Sequence, residues 1–113
     1  MIVVTDAAGG VTSLARLDGA PPIAIRHALA KAGSASGLKR STDEFLAKRL
    51  TTDDVLWRAI SGRGDAFVVH GGFPLTIDGR VVGAIGVATG AHEHDSEIAQ
   101  AGVAALGALV NDG

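Results

Sequence analysis

The sequence predicts an α+β domain, an antiparallel sheet with helices packed on it, on three observations. Its segments run strands, helices, strands, helix, without the regular βαβ alternation of a doubly wound parallel sheet. The strand segments fall in adjacent pairs. One pair meets at Asp78-Gly79 between alternating apolar residues. That dipeptide selects a two-residue hairpin turn, because both central positions take positive φ.

Each element follows from local chemistry. Ile2 to Thr5 is a short β-branched run ended by Asp6-Ala7-Ala8-Gly9-Gly10, hence strand then turn. A second strand is expected from Val11 to Arg16, closed by Asp18-Gly19. Pro21-Pro22 suits the first turn of a helix, where a missing N–H costs nothing. That helix is expected over Ile23 to Ala32, with Ile25, Ala28, Leu29 and Ala32 as its apolar stripe and Gly33 to Gly37 as a loop or a frayed helix end. Ser41, Asp43 and Glu44 read as a capping box for a short helix to Leu50, and capping explains all three. Thr51-Thr52-Asp53-Asp54 reads as another helix start, Ser61 to Asp65 as a turn and Ala66 to His70 as a strand. The hairpin follows. The last helix is expected from Glu93 to Val110, with Ile98, Ala101, Ala105, Leu106 and Leu109 on one side. Gly102 is assigned to that same side, where it lets a neighbour approach closely. Glu93, Asp95 and Glu97 complement the positive end of its dipole.

Composition narrows the function classes. At 113 residues the chain makes one domain with a single core. A net charge of −2 with scattered Lys and Arg gives no footprint for nucleic acid. There is no cysteine, which excludes disulfides, thiolate metal sites and cysteine nucleophiles. No apolar run approaches the roughly 20 residues that span a bilayer, and the first residues lack a secretory pattern. A cytoplasmic protein with no membrane partner is expected. Sixteen glycines against three Phe and one Trp leave little apolar area per core residue, so a homo-oligomer is expected to supply part of the stability.

The stretch from Gly71-Gly72-Phe73-Pro74 through Asp78-Gly79 to Val82-Gly83-Ala84-Ile85-Gly86-Val87 resembles the signature of the GlcG/HbpS-like family, also known as the haem-degrading domain family. Val4-Thr5-Asp6-Ala7-Ala8-Gly9, Arg16-Leu17-Asp18-Gly19-Ala20, Lys31-Ala32-Gly33-Ser34-Ala35 and Asp95-Ser96-Glu97-Ile98-Ala99 resemble further family segments in the same order. The resemblance implies a profilin-like fold, with a sheet of about five antiparallel strands between helical layers, and homo-oligomers. It also implies haem binding in some members, with links to haem degradation, and ties to organic-acid breakdown in others. The sequence departs from the family in three places. The family's long helix before the first strand has no counterpart ahead of Met1. Ala91-His92-Glu93-His94-Asp95 replaces the usual hydroxyl-and-proline opening of the last helix. The middle segment carries Trp57 and two charged helix starts.

Two readings of function stay open. In the first the chain binds haem or a related tetrapyrrole. Arg16 and Lys31, with Asp18 beside them, pair with carboxylates. Gly71-Gly72 bring backbone close to a flat ligand, and His27 or His70 supplies an axial imidazole. In the second the chain is an enzyme or accessory protein for a small carboxylic acid, held by Arg16 and Lys31 with His70 as base. Each residue also has a plainer reading: an Arg16–Asp18 turn contact, a solvated Lys31, glycines that permit close packing, ordinary histidines. A subunit that only assembles is the third possibility. His92 and His94 flank Glu93 in a pattern suggestive of a small metal site, Ser34 is a candidate pocket hydroxyl, and Trp57 reads as core, interface or porphyrin stack. Arg63-Gly64-Asp65 is treated as chance.

Overall fold

The computed structural model describes residues 1–50, 55, 59, 69–90 and 92–112. Within them lie β1 (Ile2–Asp6), β2 (Val11–Ala15), α1 (Ile23–Leu38), α2 (Thr42–Phe45) with a π-helical turn over Leu46–Leu50, β3 (Gly72–Ile77), β4 (Arg80–Val87) and α3 (His92–Asp112). Four strands form one sheet in the order β2-β1-β4-β3, and every neighbouring pair is antiparallel. The expected helix start at 51–54, the turn at 61–65, Trp57 and residues 66–68 lie outside the described residues. Val69 and His70 form a bend and turn that lead into β3.

The α+β class and the flanking helices are as the sequence predicts. Asp78 (φ 51°) and Gly79 (φ 76°) both adopt the left-handed region that the β3–β4 turn requires. The sheet is the middle of three layers. Val3 packs with Ala24, Ala28 and Ala32 of α1 on one face. Ile85 and Val87 pack with Ala99 and Val103 of α3 on the other.

α1 is longer than the Ile23 to Ala32 expected. It runs through Gly33 and Gly37 to Leu38, where Lys39 takes a left-handed conformation and donates its N–H to the Ala35 carbonyl at 2.9 Å. Tertiary packing overrides the weak propensity of this small-residue stretch, because Ser34, Ala35 and Ser36 are buried. The close fit of α1 on the sheet comes from a cross-strand glycine pair, Gly72 and Gly86, directly opposite each other in register. A Cβ on Gly86 would lie 2.2 Å from the Ala28 carbonyl, and one on Gly72 would lie 2.5 Å from the Lys31 carbonyl. The bare backbone at this spot is the seat of the helix.

The stripe expected on α3 is corrected. Ile98 is 38 % exposed, Leu109 is 72 % exposed, and Ala101 and Ala105 are exposed as well. The inward face carries Asp95 and Ala99, with Gly102, Val103 and Leu106 partly buried. Gly102 sits on that face: a Cβ there would meet Ile85 Cδ1 at 2.7 Å. The sequence pattern marks the more apolar stripe; the sheet takes the smaller one, because small residues let a helix lie close.

Candidate functional site

One end of the sheet collects Lys31, Thr42 and Asp95, three of the six polar or charged residues buried among the described residues. β3 begins there at Gly72, opposite Gly86, and β4 ends there at Val87, opposite Ile2. Two hydrogen-bonded groups meet across Gly71, one built on a lysine and one on a histidine.

Lys31 lies on α1 and is 1 % exposed, so it is not a solvated surface charge. Its Nζ donates to Asp95 Oδ2 at 2.8 Å and to the Val87 carbonyl at 2.8 Å. Asp95 Oδ1 accepts the Thr89 amide at 2.8 Å and the Thr89 hydroxyl at 2.5 Å. Burial on its own raises the Asp95 pKa. The Lys31 hydrogen bond, the Thr89 bonds and the Lys31 charge outweigh it and hold the carboxyl below its ordinary value. The ammonium is therefore balanced within the fold by Asp95, a partner 64 residues away.

His70 is half exposed, and its Nδ1 lies 2.8 Å from Asp43 Oδ2. The Asp43 carboxylate also accepts the Gly71 amide at 3.0 Å and the Ser96 hydroxyl at 2.5 Å. Burial again acts to raise the Asp43 pKa. Hydrogen bonds from Ser96, His70 and Gly71, with the His70 charge, bring it below the usual value. Local folding explains why Asp43 is here. Ser41 caps α2 by accepting the Glu44 amide at 3.0 Å, as the capping pattern predicts. That cap places Thr42 and Asp43 in the first turn of α2, where Thr42 is buried and Asp43 partly buried. Thr42 Oγ1 donates to the Val69 carbonyl and accepts the Gly72 amide at 3.0 Å, so α2 grips the 69–72 turn from both sides of His70.

Gly71 and Gly72 are buried, and the geometry supports their plainer reading as packing residues. A Cβ on Gly71, whose φ is +116°, would meet the Val87 carbonyl at 2.8 Å and Asp95 Cβ at 2.9 Å. The Gly71 amide is directed at Asp43 rather than at open space.

The remaining candidates are spread out. Arg16 follows β2 at the same end of the sheet, but three strand spacings, about 14 Å, separate β2 from β3. Its guanidinium donates to the Ala20 carbonyl at 3.2 Å, so the contact within the turn is to Ala20 rather than to Asp18, which is exposed. His27 is partly buried one helical turn before Lys31. Ser34 is buried within α1. His94 is exposed beside Glu97 at 3.9 Å, and no cluster of three or more metal-ligating side chains occurs among the described residues. An open depression of about 560 Å³, lined by Asp6, Ile77, Asp78, Arg80 and Val82 among others, lies at the opposite, hairpin end. Of the sequence candidates, the structure brings Lys31, His70, Gly71 and Gly72 together. Sequence reasoning missed Asp43, Ser96 and Thr42, because capping accounted for the segment and the long-range partners carry no local signal.

A half-exposed imidazole held at Nδ1 by a carboxylate is a donor suited to haem iron or to a transition metal. No helix among the described residues is long and apolar enough to cross a membrane.

Comparison with known proteins gives matches over most of the chain. The family model described as haem-degrading protein HbpS-like matches residues 1–104. Klebsiella pneumoniae protein ORFY superposes with a TM-score of 0.84 at 27 % identity, over 95 % of this chain and 74 % of that one. A complex of PduOC with haem superposes with a TM-score of 0.82 at 28 % identity, over 92 % and 75 %. A double mutant of Streptomyces reticuli HbpS gives 0.79 at 35 % identity, over 93 % and 69 %. Curated protein sequences give no match.

Proposed function

The chain belongs to the HbpS-like family, and on that premise we propose that it binds haem or a related tetrapyrrole through His70. One observation carries the reading. His70 stands half exposed at the rim of the polar end of the sheet, and its Nδ1 is engaged by Asp43. That leaves Nε2 as the nitrogen for iron. The haem-bound neighbour supports the ligand class. Haem, when bound, supplies an iron centre whose chemistry depends on its axial ligand and surroundings. The chain's own part is to hold the imidazole and keep its orientation.

Lys31 plays a supporting role in this reading. Its charge is matched by Asp95 and so fixes the start of α3 beside His70, rather than meeting a propionate. Arg16, exposed on β2's side of the same end of the sheet, is the cation assigned in this reading to a ligand carboxylate. Self-association belongs to the same proposal, with the exposed Ile98 and Leu109 stripe of α3 as the surface that a second copy covers.

The test is a haemin titration followed by absorbance and native mass. A saturable Soret shift at about one haem per chain, with micromolar or tighter affinity, supports the reading. Weak, non-saturating absorbance refutes it.

A further inference from the structure

We propose that Asp43 is a positioning residue that fixes the tautomer of His70, and that Ser96 sets the strength of that hold. This rests on the reading that His70 Nε2 meets iron.

A neutral imidazole carries one N–H, on either nitrogen. An ionised carboxylate only accepts. With Asp43 Oδ2 at 2.8 Å from Nδ1, the proton belongs on Nδ1 and the lone pair on Nε2. The same bond holds the ring plane and pushes electron density toward Nε2, which makes it a stronger donor. Asp43 is itself immobilised, by the Gly71 amide on Oδ1 and by its place in the capped first turn of α2.

Ser96 enters through the same oxygen. Its hydroxyl and His70 Nδ1 both lie on Asp43 Oδ2, at 2.5 and 2.8 Å. Two donors on one oxygen share its lone-pair density, so the serine weakens the histidine's bond. Ser96 belongs to α3, and its neighbour Asp95 is fixed to Lys31. The seating of α3 on the Lys31 pair therefore sets how firmly Asp43 grips the imidazole.

The experiment starts with ligand-free protein at pH about 8.5, where an ordinary imidazole is neutral. Long-range proton–nitrogen correlation spectra of labelled wild type are expected to show His70 protonated at Nδ1 and bare at Nε2. Asp43→Ala is expected to lose that single tautomer. Ser96→Ala removes only a hydroxyl and serves where Asp43→Ala fails to fold. It is expected to keep the tautomer and move the Nδ1 proton downfield. Haemin affinity is expected to fall about 10- to 100-fold in Asp43→Ala and to hold or rise in Ser96→Ala.

A wild-type His70 protonated at Nε2, or an unchanged tautomer in Asp43→Ala, overturns the role of Asp43. An unmoved proton shift in Ser96→Ala overturns the role of Ser96. If wild type shows the expected tautomer but takes up no haemin, the haem reading fails while the Asp43–His70 assignment stands.

Discussion

Lys31→Met tests the buried ion pair that holds the polar end of the sheet together. Both side chains of the Lys31–Asp95 pair are 1 % exposed and their charges are 2.8 Å apart. At that separation and an effective dielectric near 20 the attraction is about 6 kcal/mol, which the desolvation of two ions largely offsets. The pair therefore adds little relative to an apolar pair, but breaking it leaves one charge buried alone. For Lys31→Met the expected loss is about 3–5 kcal/mol. At this chain length 1 kcal/mol moves the Tm by about 4 °C, so the shift is about 12–20 °C downward. Asp95→Asn removes the other charge while an amide oxygen still accepts from Thr89. The double variant buries no charge, so its loss is expected to fall short of the sum of the singles by about 1–3 kcal/mol. Urea and thermal unfolding of the four proteins measure this cycle. A Lys31→Met cost below about 1 kcal/mol, or strict additivity in the cycle, refutes the reasoning.

Other expectations follow from single contacts. Asp43 and Asp95 both have pKa values lowered in the folded state, so their stabilisation is present above the unfolded carboxyl value near 3.9 and is lost as pH falls through the folded values. Asp95→Asn should flatten that acid limb in unfolding titrations, and an unchanged slope would count against it. Thr5 Oγ1 is buried with no hydrogen-bond partner among the described residues, so Thr5→Val should raise stability by about 1 kcal/mol in denaturant unfolding, whereas a loss would show a partner beyond them. Gly79→Ala meets open space at positive φ and should cost about 1–2 kcal/mol. Gly86→Ala drives a Cβ into the α1 backbone and should unfold the chain at a clearly lower temperature; equal melting of the two would remove the glycine seat.

What was legible in the sequence was local. Asp78-Gly79 announced its turn because few residues accept two successive positive φ values. Ser41 and Glu44 announced a helix start because the capping contact spans only three residues. The extent of α1 was not legible, because Gly33, Ser34, Ser36 and Gly37 have weak helical preference and the stretch is held helical by the burial of Ser34, Ala35 and Ser36. Nor was most of the inward face of α3, where hydropathy favoured Ile98 and Leu109 over Asp95 and Ala99, although Gly102 was expected to face a neighbour. In the candidate site His70 was legible as a histidine beside two glycines. Its partner was not, since Asp43 lies 27 residues away in a segment with a complete local explanation. Capping and site-building turn out to be compatible. The serine satisfies the helix, and the aspartate next to it is left to reach the histidine.

The central claim, that His70 is the iron ligand of a haem site, is tested most directly by chemical rescue. Haemin is added to wild type and to His70→Ala, and the Soret band is recorded with and without free imidazole. The account predicts a saturable shift in wild type, its loss in His70→Ala and its return when imidazole fills the vacated position. A His70→Ala spectrum equal to that of wild type without imidazole would contradict it.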